Sequence, residues 1–104
     1  MSLLKERVVY KPFEYPKAFD YYMKQQQAHW LWTEVPMAQD VTDWKTTLKD
    51  HEKNIVGGIL KGFAQTETVV NDYWTGLVTG WFRKPEVIAM ATTFGCFETI
   101  HAEA

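Results

Sequence analysis

Residues 95–104 read GCFETIHAEA, with Glu98 and His101 three positions apart. On a helix that spacing places a carboxylate and an imidazole on one face, where one metal ion would sit between them. The residues before them argue for the helix. Pro85 suits a first helical position and Glu86 a first turn, where a negative charge meets the positive end of the helix dipole. From Val87 to Phe97 there is no charged residue. A helix apolar all round is buried all round, and this run is too short to cross a bilayer. Two ionisable groups therefore enter an apolar interior together, and an all-α fold is predicted.

Further upstream, Val56, Leu60, Phe63, Glu67, Val70, Trp74, Leu77 and Trp81 recur at steps of three or four and form one apolar stripe. Glu67 lies inside it, about one turn from Phe63 and from Val70, where a carboxylate without a cation is costly. Asp50 reads as the cap of this helix and Glu52 as a first-turn residue. Gly57, Gly58, Gly62, Gly76 and Gly80 each cost about 1 kcal/mol relative to alanine in a helix interior. Packing must offset that cost, and a break near Gly57 and Gly58 stays open. Nearer the start, Lys17 to about Trp32 favours helix, with Phe19 and Met23 at helical spacing and Pro36 as the stop. Residues 35–48 read as a connector with one turn around Trp44, and residues 1–16, with Pro12 and Pro16, as an extended arm. No internal repeat is present.

Composition limits the function. For 104 residues, 46% hydrophobic and 15% aromatic content is rich, which implies further partner surface. A net charge of -2 without a basic stripe argues against nucleic acid. No stretch has the roughly 20 apolar residues of a membrane span, and the first residues lack the apolar core of a signal peptide. The single Cys96 excludes an internal disulfide framework and is expected in core packing. A soluble, cytoplasmic protein is the expectation.

Each chemical feature has a plain reading by itself: a buried Glu pairs with Lys or Arg, a His near a helix end favours the dipole, and Glu-x-x-His occurs by chance. The combination is more specific. Carboxylate-bridged two-metal sites in four-helix bundles take one Glu from each of two helices and a Glu-x-x-His from each of two others. Glu67, Glu98 and His101 supply one of each. Carboxylate and imidazole donors suit iron or manganese, whereas zinc would bring Cys or more His.

At these residues the sequence resembles the small, radical-generating subunit of class I ribonucleotide reductase, from about Pro16 to Ala104. The resemblance is carried by HWLWTEV at 29–35, DHEKNI at 50–55 and FETIHAEA at 97–104, in the family's order and spacing. It implies the N-terminal half of a ferritin-like helical bundle, 17–104, preceded by the arm. It also implies a dinuclear metal centre held in part by Glu67, Glu98 and His101, an iron pair first, with manganese–iron or manganese alone as the other pairings. Trp30 matches the tryptophan that passes an electron toward the large (alpha) subunit, and Trp32 is the fallback two positions on. The implied activity is that of ribonucleoside-diphosphate reductase, an oxidant stored at the metals serving the reduction of ribonucleotides, in a homodimer of completed subunits.

Two departures matter. Glu67 stands where most members have Asp, as in the manganese-using subgroups. The family's radical-bearing Tyr would fall directly after Ala104, and HAEA has no helix-stop signal. With the second Glu and second Glu-x-x-His also absent, the expectation is that a separate C-terminal polypeptide completes the subunit. Two other readings stay open: a ferritin-like metal-carboxylate oxidase without a large subunit, and a metal-free helical interaction module whose Glu67 and Glu98 meet a partner's basic residues.

Overall fold

Pro16 occupies the first turn of α1, Pro16–Gln27, where a missing N–H costs nothing, in a computed structural model that describes residues 2–104. The chain is all-α, with no strand among the described residues. α1 is shorter than predicted. It stops at Gln27 and gives way to extended backbone and a 3-10 turn, Trp32–Glu34. The aromatic and β-branched residues after Ala28 are weak helix formers, and here they pack on a distant helix instead: the His29 and Phe97 rings lie 5.6 Å apart.

The connector is more helical than predicted, with α2 at Ala38–Thr42 running into a wider π-type turn at Asp43–Thr47. α3 spans Asp50–Asp72 without a break at Gly57 or Gly58. Its cap lies one residue earlier than predicted. The Lys49 N–H donates to Glu52 Oε2 at 2.7 Å, so Asp50 is the first helical residue.

Beyond Asp72 the helix widens into a π segment, Tyr73–Val78, before the short α4, Thr79–Trp81. A π turn inserts an extra residue and slips the register. This corrects the end of the predicted stripe. Leu77 and Trp81 are exposed, while Val78, outside the stripe, is 3% exposed and joins Val87 and Ala91 in a small core.

α5, Pro85–Glu103, packs along α1 and α3. Gly95 marks the close approach to α3: a Cβ there would collide with Thr75 Cγ2, and the Asn71 side-chain amide donates to the Gly95 carbonyl at 2.6 Å. α5 is not covered all round. Thr92 and Cys96 face outward, so the core reading of Cys96 is corrected to a surface position. The early turns of α3 are covered only in part, by the connector around Trp44, leaving Ile55 at 60% and Phe63 at 62% exposure on a molecule 59 × 23 × 15 Å. A stripe so apolar and so exposed agrees with the partner surface that composition implies. Among the described residues, no helix is long and apolar enough to cross a membrane.

The arm is held by charge. Glu86 is fully buried at the start of α5 and accepts from the Arg7 guanidinium and from the Glu14 and Tyr15 N–H groups at 3.0 and 3.1 Å. Glu14 in turn binds buried Lys84 at 2.7 Å. Sequence reading gave Glu86 only a dipole role. Burial, the largest influence, pushes the Glu86 pKa up, but the Arg7 and backbone hydrogen bonds outweigh it and hold the value below the ordinary 4.5. The Lys84 hydrogen bond, opposed by desolvation, likewise lowers Glu14. Both folded-state values lie below the unfolded ones, so their stabilisation is complete above about pH 4.5 and is lost as pH falls through the folded values. Glu86→Ala leaves two N–H groups without their acceptor and Arg7 with Glu14 as its remaining carboxylate, and is expected to cost about 2–4 kcal/mol. Thermal melts check this, and the difference between variant and parent should shrink as the pH is lowered below that value.

Candidate metal centre

Glu67 comes from the middle of α3, and Glu98 and His101 from the last turns of α5. Glu67 lies on the α3 face that meets α5, and the Asn71–Gly95 contact one turn further on holds the two helices together there. His101 Nδ1 is 3.4 Å from Glu98 Oε2 and 3.7 Å from Glu67 Oε2. One donor atom from each of the three residues lies within 4.8 Å of the others. Glu67 and Glu98 border a cleft of about 280 Å³ that Asn71 and Glu103 also line. The side chains are partly covered, Glu98 most, at 16% exposure.

Desolvation raises the Glu98 pKa, and the neighbouring Glu67 carboxylate raises it further, against the opposing pull of His101. Two carboxylates forced together with one imidazole form a donor set that a divalent cation relieves directly. Among the described residues, no lysine or arginine lies within ion-pair distance of Glu67 or Glu98. The ion pairs that would make these merely structural acids are made elsewhere, by Glu14 and Glu86.

Trp30 reaches the same place. Its ring stacks on His101 at a centroid distance of 5.6 Å with the planes 21° apart, while 37% of the residue stays exposed. Trp32 lies in the 3-10 turn and is 46% exposed. The four residues singled out by sequence, Trp30, Glu67, Glu98 and His101, are thus brought together. Asn71 was not singled out; its position four residues after Glu67, on the same helix face, was the available signal.

The family model for the ribonucleotide reductase small chain matches residues 7–104. The chain belongs to that family. Over its whole length it is 40% identical to the probable ribonucleoside-diphosphate reductase small subunit of Invertebrate iridescent virus 6, covering 29% of that protein. With the corresponding protein of Invertebrate iridescent virus 3 it shares 36% identity, over 97% of this chain and 27% of the relative. With the ribonucleoside-diphosphate reductase small subunit of Dictyostelium discoideum it shares 28%, over 95% of this chain and 29% of the relative. The chain therefore spans under a third of the length of these relatives. The small-chain family binds a dinuclear metal centre, and the donor chemistry of Glu67, Glu98 and His101 fits one half of such a site.

Proposed function

We propose that this chain is the N-terminal portion of a class I ribonucleoside-diphosphate reductase small subunit, with Glu67, Glu98 and His101 among the ligands of its dinuclear metal centre. The convergence of those three donors, with no Lys or Arg among the described residues to neutralise them, carries the reading. Three residues do not hold two metals, so the second half of the ligand set comes from residues outside this sequence. The exposed apolar face of α3 is the surface that such a half would cover. An iron pair is the first assignment; Glu67 at the first position also admits manganese–iron or manganese alone.

When bound, the metal pair supplies one-electron oxidising equivalents. The chain's own residues fix its place and insulate it. α5 carries Glu98 and His101 at the end of a run without charge, directly after the buried Phe97. Trp30 touches His101 on one side and reaches solvent on the other, so its indole forms a contact path for an electron between the site and a large subunit docked outside. That path favours the reductase over a metal-carboxylate oxidase that works without a large subunit. A cytoplasmic homodimer of the completed subunit is part of the proposal.

The test is made on the complete subunit. Elemental analysis is expected to give two iron or manganese atoms per subunit, and adding a large subunit should give ribonucleoside-diphosphate reduction that Trp30→Phe abolishes without loss of metal. Reduction that survives Trp30→Phe sinks the radical-path assignment; a metal-free protein sinks the whole reading. Intact-mass analysis of the purified material shows whether a second polypeptide supplies the other ligands.

A further inference from the structure

The cleft between α3 and α5 is set by one polar contact that ligation does not explain. Asn71 Nδ2 donates to the Gly95 carbonyl at 2.6 Å in a partly buried position. Asn71 follows Glu67 by four residues on α3, and Gly95 precedes Glu98 by three on α5. Each end of the hydrogen bond is therefore one turn from a candidate ligand and on the same face of its helix. Gly95 is where the two helices come close: a Cβ there would collide with Thr75 Cγ2, on the turn of the chain that follows Asn71. Asn71 also lines the cleft that Glu67 and Glu98 border.

We infer that Asn71 is a positioning residue for the metal centre, fixing the distance between the Glu67 and Glu98 carboxylates by tying α3 to the Gly95 carbonyl. The inference rests on the metal reading above. Generic apolar packing would hold the helices together but leave them free to slide, and a slide changes the separation of carboxylates on opposite sides of a cleft. A hydrogen bond to one carbonyl fixes register as well as distance. Outer-shell partners of this kind typically cost about 10–100-fold in metal affinity when removed.

The experiment uses the complete subunit with Mn(II) as probe, read by titration and by electron paramagnetic resonance. Asn71→Leu has nearly the same size and no donor; Asn71→Asp has the same shape, but an ionised carboxylate facing a carbonyl cannot donate. Both are expected to weaken Mn(II) binding about 10-fold or more and to replace the exchange-coupled signal of a metal pair with the six-line signal of isolated Mn(II), at temperatures where circular dichroism shows the helices intact. Should Asn71→Leu fail to fold, Asn71→Ser, which is smaller, carries the same expectation. Folded variants that keep wild-type affinity and the coupled signal overturn the positioning role, as does a loss of melting temperature with the coupled signal unchanged. A wild-type subunit that takes up no Mn(II) overturns the metal reading itself, and this inference with it.

Discussion

Glu98→Ala is expected to abolish dinuclear metal loading in the complete subunit, with less than one metal per subunit by elemental analysis. Glu98 is the most covered of the three donors and stands between the other two elements of the site: its Oε2 is 3.4 Å from His101 Nδ1, and the Glu67 carboxylate raises its pKa. Removing it leaves this half of the site with one carboxylate and one imidazole, and takes from the pair a negative group that offsets the dehydration of the cations. The metal-free protein should respond in the opposite sense. A carboxylate whose folded-state pKa is raised opposes folding at pH above that value, and the cost declines as pH falls from the folded value to the unfolded one. Glu98→Ala should therefore leave the apo protein at least as stable as the parent at pH 7, while losing the thermal stabilisation that metal confers on the parent. An apo variant that is markedly less stable would mean that Glu98 serves packing rather than coordination. Retention of two metals would remove it from the ligand set.

The parts of this architecture legible in the sequence are those with a local period. Glu67 within a stripe of step three or four, and Glu98 three before His101, state their helix faces directly, and the structure joins those faces. Period alone could not place the end of α1: helix was expected to about Trp32, but the chain leaves it at Gln27 and the Trp30 ring stacks on His101. Nor could it anticipate the π segment, which exchanges Leu77 and Trp81 for Val78 at the core. Long-range polar contacts left no trace of this kind. Arg7 and Glu86 are 79 residues apart, and the sequence pattern gave Glu86 only a dipole role. Cys96 was misplaced because an uncharged run was read as a buried one, whereas the described residues leave the Thr92–Cys96 side of α5 exposed.

Gly95→Val is expected to lower both stability and metal uptake, against the usual sense of a glycine substitution within a helix. Any residue with a Cβ gains backbone rigidity there, worth about 1 kcal/mol for alanine. The added carbon, however, is directed at Thr75 Cγ2, and Thr75 cannot readily turn away. Its branched side chain is stiff, and its hydroxyl donates to the Asn71 carbonyl at 2.9 Å. Trp74, 3.6 Å from the same point, is held edge-on against Phe94. The remaining response is for α5 to move off α3, and overpacking of this kind costs about 1–3 kcal/mol, more than the helix gain. Gly95→Ala should therefore be mildly destabilising and Gly95→Val strongly so. The separation would break the Asn71 hydrogen bond and draw Glu98 from Glu67, so Mn(II) affinity should fall with the melting temperature. Gly58 supplies the internal control. A Cβ there meets nothing within 4 Å, so Gly58→Ala should raise stability by up to about 1 kcal/mol and leave metal binding unchanged. Equal behaviour of Gly58→Ala and Gly95→Ala in thermal melts would mean that α3 and α5 do not meet at Gly95, and that the carboxylates are set by some other contact.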